Sequence, residues 1–338
     1  KEYIMKEIGF VKTSMPEEAR VAMLPKDIKE CVTHPDKLFF ETGYAKHLGF
    51  DDADYKAVGA KVVSRVEAFA KDVICIPKPW ITDIEYFREG QTIMGWIYLP
   101  ERKEMARAVL KHNMTAVAWE NMYGPNKEYV FDKNRWMAGY IGVTQALPFA
   151  KASPKKLKIA VLGDGRVARG VFDRLKEERV TNYEVFGTNL LDDPENATQK
   201  DFDTILKIFK SRISEFDVVV NCWYYNPEFG NYLVLTDLQE MREGSMFIDI
   251  TSDGVEASIP HTDITPFYRL GRFNPIIVWN NNHAPSYWAL DASEVISEGA
   301  APFMDKIIKE ESDYVLNRAT VVDQGNIIDE RIKLLLSK

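Results

Sequence analysis

Residues 158–165 limit most what this chain can fold into. Lys-Ile-Ala-Val-Leu is a short apolar run that reads as a buried strand, and Gly163-Asp164-Gly165 leads it straight into the helical pattern of residues 167–178. Strand, glycine turn and helix in that order make the first βα unit of a dinucleotide-binding sheet. The first glycine makes the tight turn, the second lets the backbone approach a pyrophosphate, and the small Ala168 lets helix and strand pack closely. Unpaired N–H groups and the positive end of the helix dipole then face the phosphates. Gly163, Asp164, Gly165, Arg166, Val167 and Ala168 are therefore cofactor-binding candidates. The bland alternative is a glycine turn that holds no nucleotide.

The end of the next strand bears on the choice between NAD(H) and NADP(H), because an acid there accepts hydrogen bonds from the ribose hydroxyls. Tyr183-Glu-Val-Phe-Gly187 runs into Thr188 and Asn189, two further cofactor candidates, with no acid in place. That lack, with Arg166 and Arg169 in the loop, favours NADP(H). Asp192 or Asp193 curling back to the ribose would instead suit NAD(H). Further strands are expected at 217–221, 245–250 and 276–279.

Upstream, 151–156 is a polar, proline-containing linker. Before it, short strand-like runs at 8–11, 38–41, 73–76, 92–97 and 115–118 alternate with helical patterns at 25–33, 51–58, 84–89 and 102–112, the signature of a second, mostly parallel sheet. Residues 132–150 read as one long connecting helix in which Ala138, Gly139 and Gly142 would let another helix come close. Helical stretches at 286–310 and 329–336 return to the first domain. The expected fold is α/β, two Rossmann-like doubly wound domains with an interdomain cleft: a discontinuous substrate domain, 1–136 plus 287–338, and a dinucleotide-binding domain, 137–286. A length of 338 residues suits two domains.

Charge narrows the function. With 51 acidic against 43 basic residues the net charge is −8, which argues against a broad nucleic-acid or anionic-membrane surface. The sequence has no apolar run of membrane-spanning length and its first twelve residues lack a signal-peptide core, so a cytoplasmic protein is expected. Cys31, Cys75 and Cys222 lie far apart without metal-ligand spacing, and no metal is expected.

Several segments share an order and spacing: Arg20-Val-Ala-Met-Leu-Pro25, Glu41-Thr-Gly43, Pro77-Lys78-Pro79, residues 88–96, Ala138-Gly-Tyr-Ile-Gly142, the glycine loop, Asp249-Ile-Thr-Ser-Asp253 and Asn282-His-Ala-Pro-Ser286. Together they resemble the superfamily of alanine dehydrogenase and lysine-forming saccharopine dehydrogenase, and within it the carboxyethylornithine synthases, which are opine-type reductases. The resemblance implies that Arg20 clamps the carboxylate of a 2-oxo acid, a task suited to the planar guanidinium. It implies that Lys78 bonds the substrate oxygen or imine nitrogen; partial burial would bring a lysine nearer to general acid–base work. It places Asp253 near nicotinamide and substrate. The family's acid–base histidine is replaced by Tyr98, whose phenol donates hydrogen bonds but carries protons poorly near neutral pH. His283 is then a candidate for that task.

Each residue also has a plainer reading. Arg20 could form a surface salt bridge within 17–20, Lys78 could be a solvated charge, and Tyr98 a core or cleft-wall aromatic. Asp253-Gly254 and His283 could belong to turns, and Trp223-Tyr224-Tyr225 could be core rather than nicotinamide contacts. The implied reaction is an NADPH-dependent reductive condensation of a pyruvate-like oxo acid with an ornithine- or lysine-like amine to a secondary amine. Alternatives are an alanine or saccharopine-type dehydrogenase and, in another class, a catalytically silent dinucleotide sensor. The partners expected are small molecules and, from the small-residue helix face, further copies of the chain.

Overall fold

The computed structural model describes residues 5–191, 198–223, 231–251, 255, 267–271 and 275–337. The chain forms two compact units, Lys1–Asp132 with Trp288–Lys338, and Lys133–Tyr287.

The first unit opens with β1 (Ile8–Phe10), α1 (Pro25–Cys31), β2 (Leu38–Glu41), α2 (Asp52–Ala57), β3 (Lys61–Val63), α3 (Arg65–Phe69), β4 (Val73–Cys75), β5 (Thr92–Gly95), α4 (Lys103–Lys111) and β6 (Thr115–Ala118). The second runs from α5 (Asp132–Ala146) through β7 (Ile159–Leu162), α6 (Arg166–Glu177), β8 (Tyr183–Phe186), α7 (Gln199–Arg212), β9 (Val218–Asn221), α8 (Leu235–Gln239), β10 (Met246–Asp249) and β11 (Phe267–Leu270) to β12 (Ile276–Asn280). The chain then returns to the first unit with α9 (Ala289–Ile308), α10 (Tyr314–Ala319), β13 (Thr320–Asp323), β14 (Asn326–Ile327) and α11 (Glu330–Ser337).

The first sheet has the order β14-β13-β6-β5-β4-β1-β2-β3. β1 to β6 are parallel, and β13 and β14 add an antiparallel edge. Strand order reverses between β1 and β4, the switch point where an open α/β sheet leaves a crevice beyond its carboxyl ends. The second sheet, β11-β12-β10-β9-β7-β8, is parallel except for β11 and reverses between β7 and β9.

Strand periodicity explains the doubly wound layers. Alternate side chains go to opposite faces. Ile8, Phe10, Val73 and Cys75 join one core with α1 and α9, while Ile74, Ile76 and Ile93 join another with α3, α4 and α11. In the second unit Ile159, Val161, Val218 and Val220 pack with α5 and α6; Ala160, Leu162 and Val219 pack with α7 and α8.

Several local expectations are corrected. Residues 84–89 lie partly in a 3-10 turn, Ile81–Tyr86, started by the Asp83 carboxylate on the Trp80 N–H and followed by Gly90 at a φ of 73°. α5 stops at Ala146 because Pro148 disfavours helical geometry at Leu147. β3, α3, α7, α8, β11, α10, β13 and β14 add to the expected elements, and Ser64 and Glu67 form a capping box at the start of α3. The small face of α5 does admit another helix, and that helix is α6 of the same unit. A Cβ at Gly139 would stand 1.8 Å from the Val167 carbonyl oxygen, and one at Gly170 2.0 Å from that of Trp136. Covered in this way, the face gives no ground for self-association. Among the described residues no helix is long and apolar enough to cross a membrane.

Candidate functional site

In the first unit the candidate residues collect beyond the carboxyl ends of β1, β4 and β5. Lys78 follows β4 by three residues and is 8% exposed. Its carbonyl accepts the Thr13 hydroxyl at 2.5 Å, from the segment after β1. The preceding Pro77 carbonyl accepts the Trp96 N–H at 2.8 Å, just past β5. Gly95 permits that approach, since a Cβ there would meet the Ile76 carbonyl oxygen at 1.8 Å. Arg20 lies over the Trp96 ring with its guanidinium carbon 4.9 Å from the centroid. Lys78 and Arg20 are thus joined through one short chain of contacts at the switch point.

Arg20 is not a surface charge. Its side chain is 4% exposed, and Glu18, at 0%, holds it in a fork, with Nε to Oε1 at 2.7 Å and Nη2 to Oε2 at 2.6 Å. Two parallel charged bonds fix the plane of the guanidinium. The following backbone is anchored from far along the chain: the N–H groups of Val21, Ala22 and Leu24 donate to the hydroxyls of Ser293, Tyr44 and Ser297. Beside Lys78, Arg65 bonds the Lys12 carbonyl, Glu41, Ser14 and Asp83, tying together the ends of β1 and β2 and the segment after β4.

Tyr98, at the place of the absent histidine, has left-handed backbone, φ 49° and ψ 46°. Glu120, just past β6, accepts its N–H at 2.6 Å and that of Ile97 at 3.2 Å. Burial pushes the Glu120 carboxyl up to about 7, against the pull of those N–H groups and of Arg102. Glu18 and Glu120 were missed as site residues. An acid two residues past the apolar strand 115–118 was the available signal for Glu120.

In the second unit the glycine loop sits at the switch between β7 and β9. Gly163 has a φ of 102°, and a Cβ there would meet the Trp223 ring at 3.0 Å and the Cys222 carbonyl oxygen at 3.2 Å. Gly165 caps α6 with no side-chain hydrogen bond, and a Cβ built on it meets no atom within 4 Å. Arg166, Val167 and Ala168 form the first turn of α6, and Ala168 is fully buried against the sheet. An uncapped helix start beneath an open glycine backbone has the form a pyrophosphate needs, so these residues fit a dinucleotide.

Thr188 and Asn189 lie in the turn after β8. A carboxylate is present at that strand end after all, supplied by the glycine loop. Asp164 Oδ2 accepts the Thr188 hydroxyl at 2.6 Å and the Asn189 N–H at 2.8 Å. Asp192, Asp193, Tyr224, Tyr225, Asp253 and Gly254 lie outside the described residues.

A row of buried polar residues ends three neighbouring strands. Asn221, Asp249 and Asn280 are in register across β9, β10 and β12. Asn221 Nδ2 donates to Asp249 at 2.9 Å, to Thr251 at 3.0 Å and to the Tyr232 hydroxyl at 2.8 Å. His283, 6% exposed, follows this row; its N–H donates to Asn281 Oδ1 at 2.7 Å and its Nδ1 lies 3.3 Å from Asn282 Oδ1. It precedes the 3-10 turn Ala284–Trp288 and stands at the carboxyl end of β12. Burial pushes the Cys75 and Cys222 thiols well up, which keeps both protonated and inert.

Residues 9–140 match the family described as the alanine dehydrogenase/PNT N-terminal domain. An N(5)-(carboxyethyl)ornithine synthase of Lactococcus lactis is 29% identical over 264 residues, covering 73% of this chain and 79% of that protein. Its namesake from Clostridium botulinum is 25% identical over 341 residues, covering 94% of this chain and 99% of the other. Among solved structures an L-alanine dehydrogenase superposes with a TM-score of 0.74 at 18% identity, over 98% of this chain and 99% of its own.

Proposed function

We propose that this chain, an oxidoreductase of the alanine dehydrogenase superfamily, joins a 2-oxo acid to the amine of an amino acid and reduces the product to a secondary amine. The observation that carries the reading is the buried Lys78 and Arg20 linked at the β1/β4 switch point. Relatives named carboxyethylornithine synthase, matching most of both chains, support an amino acid as the amine.

Arg20, its plane fixed by Glu18, orients the oxo-acid carboxylate. Because Glu18 already neutralises Arg20, its contribution is directional more than one of net charge. Lys78 donates to the oxo oxygen, so that the attacking amine forms a carbinolamine and water leaves to give an imine. A nicotinamide dinucleotide, which Gly163, Gly165 and the first turn of α6 would hold, would supply the hydride that takes the imine to a secondary ammonium. The balance is one oxo acid, one amine, one reduced nicotinamide and one proton giving a secondary amine, oxidised nicotinamide and water. Tyr98 offers a hydrogen-bonding hydroxyl beside the first-unit site, and His283 is the acid–base candidate of the second unit.

Nicotinamide oxidation followed with a panel of oxo acids against basic, neutral and acidic amino acids tests this. Turnover with pyruvate and a basic amino acid is the expected result. Turnover with ammonia alone would make the chain an amino acid dehydrogenase instead, and tight cofactor binding without turnover on any pair would make it a sensor.

A further inference from the structure

We propose that Asn221 is a positioning residue for the nicotinamide end of the cofactor, an inference that rests on the dinucleotide site proposed above. A doubly wound sheet binds a dinucleotide across its switch point, with the adenosine half toward the second strand, here β8, and the pyrophosphate at the glycine loop. The nicotinamide half then lies on the far side, over the ends of β9, β10 and β12. The strand ends differ across that line. β7 and β8 close in Leu162 and Phe186, both apolar and buried, whereas β9, β10 and β12 close in Asn221, Asp249 and Asn280. Burying an amide or a carboxylate costs free energy that a leucine or a phenylalanine avoids, so stability alone does not place polar ends on one side of the switch.

Asn221 is the centre of that row. It is 0% exposed and sits in register between Leu162 of β7 and Asp249 of β10. Its Nδ2 has Asp249, Thr251 and the Tyr232 hydroxyl as acceptors within 3.0 Å, while its Oδ1 accepts the Trp223 N–H at 3.3 Å and lies 3.0 Å from the Tyr232 hydroxyl. A primary amide offers two donors and two acceptor sites, and all are in use here. One side chain thereby sets three segments: the exit from β9 through Trp223, the exit from β10 through Thr251, and the return toward α8 through Tyr232. The first of these reaches the glycine loop directly, since a Cβ on Gly163 would meet the Trp223 ring at 3.0 Å. Asn221 therefore fixes the spacing between the loop that takes the pyrophosphate and the strand ends beneath the nicotinamide. Too buried to touch the cofactor, it acts through the segments it holds.

The test is a calorimetric titration of the full chain, without substrates, with NADH and NADPH and with their fragments ADP-ribose and 2′-phospho-ADP-ribose, which lack only the nicotinamide. For whichever reduced dinucleotide the wild type binds more tightly, the ratio of fragment Kd to dinucleotide Kd measures what the nicotinamide adds. That ratio should be at least about fivefold in the wild type, the effect of about one hydrogen bond, and Asn221→Ala should bring it close to unity while leaving the fragment Kd within about twofold. Tyr232→Phe, which takes one hydroxyl from the same amide, should shrink the ratio in the same direction, and it carries the test if Asn221→Ala does not fold. A wild-type ratio near unity would overturn the proposal, as would an unchanged ratio in a folded variant. Equal losses for fragment and dinucleotide would also overturn it, since they mark a merely structural residue. A wild type that binds neither dinucleotides nor fragments would overturn the dinucleotide site itself, which distinguishes the two failures.

Discussion

Glu120 gives the most searching physical test. Its carboxyl sits at about 7 in place of 4.5, first because burial penalises the anion. Between those values the folded protein holds a proton that the unfolded chain has released, so stability falls as pH rises through the window and levels off above it. The displacement of about 2.5 units, at about 1.4 kcal/mol each, puts the cost of the buried anion near 3 kcal/mol above pH 7. Because the residue keeps some exposure to water, that figure is an upper limit. Glu120→Gln carries no charge at any pH and keeps a carbonyl for the Tyr98 N–H, but it gives up the second acceptor used by Ile97, worth about 1 kcal/mol. The variant should therefore be about as stable as the wild type or slightly less so at pH 5, and about 2 kcal/mol more stable at pH 8. Denaturant unfolding of both proteins at the two pH values reads this. The difference between them is the quantity to compare, since two compact units need not unfold in one step. An identical difference at pH 5 and pH 8 would refute the buried, proton-holding carboxyl.

Lys78→Met should lower kcat by about 10²- to 10⁴-fold while leaving the affinity for the reduced nicotinamide cofactor, read by its fluorescence, nearly unchanged; near wild-type turnover would remove Lys78 from the chemistry and bring His283 forward. Arg20→Ala should chiefly raise the KM for the oxo acid, and it strands Glu18, so a thermal melt should show lost stability as well. Glu18→Gln should also destabilise, by about 3 kcal/mol or more, and should raise the KM for the oxo acid, because the fork that fixes the guanidinium plane loses one of its two acceptors; an unchanged KM would count against that positioning role. Gly139→Ala pushes a methyl group into the Val167 carbonyl and should cost about 3 kcal/mol or more in unfolding free energy, whereas Gly165→Ala, where space is open, should cost little stability and weaken dinucleotide binding.

The two-sheet fold was legible because its information is local. Runs such as 38–41 and 115–118 are mainly apolar, the first rich in aromatic and the second in β-branched residues, and both are bounded by turn residues; they became β2 and β6 with the same limits. The glycine loop was legible for the same reason, its strand, turn and helix being consecutive. What escaped notice depends on contacts remote in sequence. Ser293 and Ser297 read as polar interruptions of a helix, and only the fold brings them to the N–H groups of Val21 and Leu24, 272 and 273 positions away. Asp164 could be assigned to the loop from sequence, but its reach to Thr188 depends on β7 lying beside β8, which no periodicity states.

Some residues of the candidate sites carry a signal of a different kind, a local rule broken. A strand such as Val-Val-Val-Asn or Met-Phe-Ile-Asp is apolar until its last residue, and burying that amide or carboxylate costs free energy unless partners are supplied. Asn221 and Asp249 are both 0% exposed and are bonded to each other. Tyr98 breaks a different rule, since a bulky residue at positive φ costs about 1 to 3 kcal/mol, and its N–H is held there by the Glu120 carboxyl group. These violations fall at the carboxyl ends of parallel strands, in the first sheet and in the second. Packing alone does not require a polar terminus or a strained tyrosine, and a sheet built only for stability would end its strands in apolar or turn residues. The cost is therefore concentrated on the edges where a doubly wound sheet gathers its ligands, and in a chain of this class the last residue of each apolar strand is the place to look first.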